Sequence, residues 1–232
     1  MDFEKDSKGR IKNIKYFRSF FINQVGKPDI YNKVDEGFIA KYRNTLPEEL
    51  LHYWTTYGFS SFKNGLLWLT NPEDYFELVK NYLKGTPFEN RPNLYVVARS
   101  AFGELLIWES TKGNTLKLQS MSNMIFLSAD ADREDFKTEE ENFAMNRFLS
   151  FDPDHFDQDD ARGNYLFERA LKKIGKVEEN EMYGYKLSHF LGGKESITNL
   201  TKMDLFNHYD IQKELKEPTV SVSDMENNTV TY

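Results

Sequence analysis

Gly192-Gly193-Lys194-Glu195-Ser196 assembles the residue types of a phosphate-binding loop. In such a loop glycine amides wrap the phosphates, a lysine follows, and a Ser or Thr hydroxyl holds magnesium. The chemistry requires Gly, four residues, then Gly-Lys-Ser/Thr. Here the residue five before Gly193 is Ser188, and Glu195 takes the hydroxyl's place and would repel the phosphates. The stretch therefore reads as a glycine turn into a helical segment opened by Glu195. The acidic runs "FDPDHFDQDDARG" (151–163) and "DADRED" (130–135) suggest calcium or magnesium. An EF-hand loop needs oxygens at positions 1, 3 and 5, glycine at 6 and glutamate at 12. Counting from Asp152, position 5 is Phe156 and position 6 is Asp157; from Asp130, position 6 is Asp135. Neither run can turn as required, so no metal is expected. The acids are left as a solvated face, a helix start, or a docking surface for a basic partner.

Nucleophilic and acid-base chemistry fare no better. His52, His155, His189 and His208 show no HExxH and no pair at ligand spacing, and His52 and His208 fall inside helices as packing residues. Asp154-His155 are neighbours, a spacing that seldom lets side chains face each other. There is no Gly-x-Ser-x-Gly elbow, and without cysteine there is no thiol nucleophile. No catalytic residue and no cofactor is expected.

The elements that must position these residues are legible from punctuation. In "TLPEELLHYWTTYG", Thr45 and Glu48 have capping-box spacing, Pro47 opens the helix and Gly58 stops it. Leu46, Leu50, Leu51, Trp54 and Tyr57 then share a face. Asn64-Gly65 marks a tight turn between short apolar runs. Asn71, Pro72 and Gly85 bound a second helix. "NLYVVARSAFGELLIWES" reads as two strands around Phe102-Gly103, and "TLKLQS" and "MIFLSAD" as further strands of an antiparallel sheet. Beyond residue 130 the period becomes helical, over 130–150 and 157–175, with acids near the helix starts and Gly175 as a stop. Asp204 caps a last helix. The end, "TVSVSDMENNTVTY", alternates like a strand and is compatible with a hairpin around Asn227-Asn228 or with disorder. Trp54, Trp68 and Trp108 belong to the core of this pattern.

The chain has 232 residues, 19 Phe, 13 Tyr and no Cys, which predicts an aromatic-packed globular protein of a reducing compartment. No segment is apolar enough to span a bilayer, and the charged start lacks the apolar run of a signal peptide, so the expectation is cytoplasmic. The net charge of −7 is uneven: residues 1–120 carry 17 Lys+Arg against 14 Asp+Glu, the remainder 13 against 23. An acidic second half argues against nucleic-acid binding, which needs Lys and Arg at phosphates, and favours a basic partner.

Two stretches then resemble known domains. Leu46, Pro47, Trp54, Gly58, Gly65, Trp68, Asn71, Pro72, Tyr75, Ala101, Phe102, Gly103 and Trp108 resemble the pattern of the GAD-like domain of bacterial proteins. Tyr183, Gly184, Tyr185, Gly192, Gly193, Glu195, Asn199, Leu200 and His208 resemble the C-terminal domain that accompanies it. The pattern's proline after the Tyr-Gly-aromatic start is missing near Leu187 and Ser188, and its His-Leu is His208-Tyr209 here. The resemblance implies an α+β fold, an antiparallel sheet flanked by helices, similar in outline to Smi1/Knr4-like domains and followed by a smaller mixed domain. The boundaries expected are 15–120 for the GAD-like domain, 121–176 for an acidic helical connector, 177–216 for the C-terminal domain and 217–232 for a tail. This pairing is similar to immunity proteins that neutralise a type VI secretion DNase toxin. It implies a non-catalytic protein that occludes a cognate toxin with a basic active-site surface, with neither nucleic acid nor membrane as partner. The Gly192-Gly193 stretch would then be a family turn. Asp152, Asp154, Asp157, Asp159 and Asp160 are the expected partner surface, unless they only solvate the connector. The competing reading is a small-molecule- or nucleotide-binding domain, or an enzyme, using a cleft between the domains.

Overall fold

The computed structural model describes residues 14–128, 138–150, 152–223, 230 and 231. Within them the chain forms seven α-helices and ten strands in an α+β arrangement. None of these helices is long and apolar enough to cross a membrane.

Helices α1 (Ile14–Val25), α2 (Glu36–Tyr42) and α3 (Glu48–Tyr57) lead into β1 (Ser61–Phe62) and β2 (Leu67–Leu69). Lys63, Asn64 and Gly65 have φ 50°, 58° and 90°, so a left-handed run of three, rather than a two-residue pair, makes the turn. Helix α4 (Phe76–Leu83) follows a 3₁₀ turn over Pro72–Tyr75, where the Asn71 side chain accepts from the Glu73 amide. The sheet continues through β3 (Leu94–Ser100), β4 (Glu104–Glu109), β5 (Gly113–Gln119) and β6 (Met124–Ser128), each antiparallel to its neighbour. Trp54, Trp68 and Trp108 are all buried in the core.

Helix α3 departs from the expected capping box. Its cap residue is Pro47, which makes no side-chain cap bond, and the Thr45 amide instead donates to the Tyr42 carbonyl. The helix start is satisfied from afar: Asn142 Oδ1 accepts from the Glu49 amide at 3.0 Å. Asn142 sits on α5 (Thr138–Leu149), the part of the acidic 130–150 stretch that is described; "DADRED" lies outside the described residues. Met145, Phe148 and Leu149 of α5 are buried, and Phe148 packs its ring 5.9 Å from that of Trp108.

The second half docks on the first through the β3–β4 turn. β7 (Glu181–Tyr185) and β8 (Leu200–Asp204) form a two-stranded sheet, followed by α7 (Leu205–Leu215), whose cap is Asp204, accepting from the Asn207 amide. The Tyr183 amide donates to the Ala101 carbonyl at 2.8 Å, and the Tyr209 hydroxyl to the Gly103 carbonyl at 2.7 Å. Gly103 has φ +75°, and a Cβ there would lie 2.5 Å from Met182 Sδ. Arg99, fully buried on the Trp68 ring, donates to the carbonyls of Glu178 and Glu179 at 3.0 and 2.7 Å. Ser120 Oγ meets His208 Nδ1 at 3.1 Å, and Gln212 joins His208 to Ser188.

The described residues past 217 rejoin the sheet, while the expected turn at Asn227-Asn228 lies outside the described residues. β9 (Thr219–Ser223) runs parallel to β6, and β10 (Val230–Thr231) pairs antiparallel with β9. The eight-stranded order is therefore β1-β2-β3-β4-β5-β6-β9-β10, with a crossover through the whole second half.

Two outcomes follow from this joint. Gly103→Ala is expected to lower stability by about 1–3 kcal/mol in urea unfolding, because an L side chain at this φ is strained. Burial holds the His208 imidazole neutral and pushes its pKa down to about 4 from an ordinary 6.5. The unfolded chain takes up a proton near pH 6.5 and the folded chain only near 4, so stability is full above 6.5 and falls on acidification between them. The difference is worth about 3 kcal/mol at most. Midpoints measured from pH 7.5 to 4.5 should fall steeply for the native chain and distinctly less for His208→Gln.

Candidate protein-binding cleft

The acids singled out in the sequence lie in a 3₁₀ turn, Pro153–Phe156, and a loop that runs to helix α6 (Phe167–Ile174). The helix expected over 157–175 is confined to its second half. The loop is a hairpin in which Asp160 N donates to Asn164 O at 2.9 Å and Leu166 N to Gln158 O at 2.8 Å. Buried Phe156 and Leu166 anchor its two ends.

Three of the five aspartates accept hydrogen bonds from the loop's own backbone. Asp152 caps the 3₁₀ turn, accepting from the Asp154 amide at 3.1 Å. One carboxylate oxygen of Asp157 accepts from the amides of Gln158, Leu166 and Phe167 at 2.7, 3.1 and 2.8 Å. It thus serves the start of α6 from nine and ten residues away, where amide dipoles favour an anion. Burial pushes its carboxyl pKa up, against the pull of those same amides. Asp160 accepts from Arg162 and Asn164 amides and from Arg169 at 2.7 Å, and these donors hold its carboxyl well below the usual carboxylate range.

Asp154 and Asp159 are different. Both are exposed, and among the described residues no hydrogen bond or ion pair engages either carboxylate. They line an open cleft of about 440 Å³ together with Asp157, His155, His189 and Glu195. Tyr165 and Tyr185 add aromatic wall, and Met121 and Ser122 come from the rim of the large sheet. Burial, helped by the charges of Glu195 and Asp160, raises the Tyr185 hydroxyl pKa to about 12.

Glu195 reaches the cleft through the glycine stretch. A 3₁₀ turn over His189–Leu191 ends at left-handed Gly192, φ +85°. At Gly193 a Cβ would lie 1.8 Å from the Leu187 carbonyl oxygen, so only glycine fits this close backbone approach. Asn199 clamps the turn, donating to the Leu187 and Lys194 carbonyls at 2.8 and 3.0 Å and accepting from the Leu187 amide. The helical segment expected after Glu195 is absent; bends and a turn lead into β8. The Glu195 carbonyl accepts from the Ala161 amide at 3.0 Å, tying this turn to the acidic loop. That juxtaposition, and the roles of Tyr165 and His189, carry no sequence signal, because 34 residues separate Ala161 from Glu195 in the chain and 24 separate Tyr165 from His189.

The other motif residues serve the scaffold. Pro47, Gly58, Pro72, Trp54, Trp68 and Trp108 build the first half, while Phe102, Gly103, Gly184 and His208 meet at the joint. No group of three or more His, Asp or Glu among the described residues is placed to hold a metal ion.

Substitutions should separate the two kinds of aspartate. Asp157→Ala strips three amides of their acceptor and is expected to cost about 1–2 kcal/mol in chemical denaturation. Asp159→Ala should stay within about 0.5 kcal/mol of the native chain.

Comparison with known proteins agrees with this architecture. Residues 16–122 match the GAD-like domain and residues 142–216 match the C-terminal domain of the type VI secretion system (T6SS) immunity protein Tdi1. The crystal structure of Atu4351 from Agrobacterium tumefaciens superposes with a TM-score of 0.78 over 91% of this chain and 95% of that one, at 23% identity, so the fold is shared. No curated protein matches the sequence significantly. The chain thus carries, in order, a GAD-like domain and a domain that matches the C-terminal part of the T6SS immunity protein Tdi1.

Proposed function

We propose that this protein is a non-catalytic immunity protein, which binds a cognate bacterial toxin, a type VI secretion nuclease, and occludes its active site. The observation that carries the reading is the Tdi1-type domain over residues 142–216. The acidic balance of the same half supports it, since a nuclease presents basic surface to attract phosphate. Opposite charge across an interface speeds encounter and selects the partner more reliably than it adds affinity. Asp154 and Asp159 are the aspartates free to meet a partner; Asp152, Asp157 and Asp160 shape the loop that presents them. The basic character of the toxin surface and a partnership without nucleic acid belong to this proposal too.

A small-molecule site is the competing reading. The cleft volume suits a ligand, but ligand sites are mostly apolar with a few polar anchors, and here carboxylates and histidines predominate.

Co-expression in a heterologous bacterium with the toxin encoded by the neighbouring gene tests the proposal. Survival and co-purification at equal stoichiometry are expected. Loss of viability with no complex recovered would overturn it.

A further inference from the structure

Seven large apolar side chains stand exposed among the described residues, and five of them, Tyr165, Leu187, Leu191, Ile211 and Leu215, lie within 142–216. Three of the five belong to the two segments that wall the cleft: Tyr165 is 56% exposed, Leu187 46% and Leu191 57%. Their backbones are held firmly. Tyr165 precedes Leu166 and Phe167, whose amides are gripped by Asp157 and whose side chains are buried. Leu187 is bonded in both directions by Asn199, and Ser188 between the leucines ties to Gln212 of α7 at 3.1 Å. Apolar groups fixed in this way pay little ordering cost when a partner covers them. Tyr165 lines the cleft with the carboxylates of Asp154, Asp159 and Glu195, and Leu187 and Leu191 lie on the segment that brings His189 and Glu195 to it. Exposed apolar groups beside a charged cleft suit a protein interface, and the carboxylates that line the cleft, with no Lys or Arg among the described lining residues, select a basic partner.

Resting on the immunity reading, we propose that this cleft and its apolar rim are the toxin-contacting surface, and that they receive a protruding toxin loop carrying Lys or Arg beside an apolar side chain. The cation lies among Asp154, Asp159 and Glu195, where the Tyr165 ring offers a face for a guanidinium. The apolar neighbour covers Leu191 and Leu187. A concave acceptor requires a convex donor, so the toxin contributes the loop. The exposed Lys172 and Lys173 on α6 would repel a basic surface and stay outside the contact.

Binding of the full chain to catalytically inactivated toxin, followed by interferometry at two salt concentrations, tests this. Asp159→Lys with Glu195→Lys is expected to weaken binding about 100-fold and flatten its salt dependence. Tyr165→Ala and Leu191→Ala should each weaken it about tenfold or more, whereas Lys172→Glu with Lys173→Glu should leave it within about threefold. Amide exchange of the unmodified chain with and without toxin guards against misfolded variants, and protection is expected over 157–166 and 186–196. Native affinity in the cleft variants, or a complex that leaves both segments unprotected, overturns the inference alone. Failure of the unmodified chain to bind overturns the immunity reading and this inference with it.

Discussion

The turn between β3 and β4 is the constraint on which the rest depends. Ala101 and Gly103 offer carbonyls to Tyr183 and Tyr209, and Phe102 lies 5.6 Å from the Tyr183 ring. Gly103 has no side chain because Met182 occupies that space. A buried arginine, Arg99, closes the same joint from the sheet side by gripping two carbonyls ahead of β7. Burying a guanidinium is costly unless its donors are met, and here carbonyls and the Trp68 face meet them. The motif of one domain is therefore the receptor for the motif of the other, and apolar residues of both halves share one core.

That joint decides how the cleft is presented. The acidic loop alone would be a flexible hairpin, and the glycine turn alone a surface excursion. With β7 and β8 fixed against the large sheet, Glu195 and Ala161 bond across, and unpaired carboxylates face the same opening. The aspartates divide by the job the backbone gives them. Three neutralise amides and Arg169 within the loop, and two are left to the solvent. A run of five acids is thus partly scaffold and partly available charge, a division that net charge conceals.

Local grammar was legible wherever the partner of a residue lay within a few positions. Asn64-Gly65, Asn71-Pro72, Phe102-Gly103 and the Asp204 cap all follow from short-range backbone chemistry, and the three tryptophans from burial of large rings. What escaped depends on distant contacts. The capping box at Thr45 yields to Asn142, 93 residues from the amide it serves. Asp157 reads as an early helix residue, yet it caps α6 from across a hairpin. The parallel insertion of β9 beside β6 is set by an unpaired edge that alternation alone cannot specify. The candidate cleft was half legible, through its aspartates, while Glu195 and Tyr165 join it only by tertiary folding.

Joined through the β3–β4 turn, both halves should unfold as a single cooperative body. Native-state hydrogen exchange of the Tyr183 amide, bonded to Ala101, addresses it directly. This amide is expected to open with the same free energy as the core amides of β4 and β5, in the global unfolding step. A lower-energy opening, in which β7 to α7 detach while β3 to β6 stay protected, would contradict it.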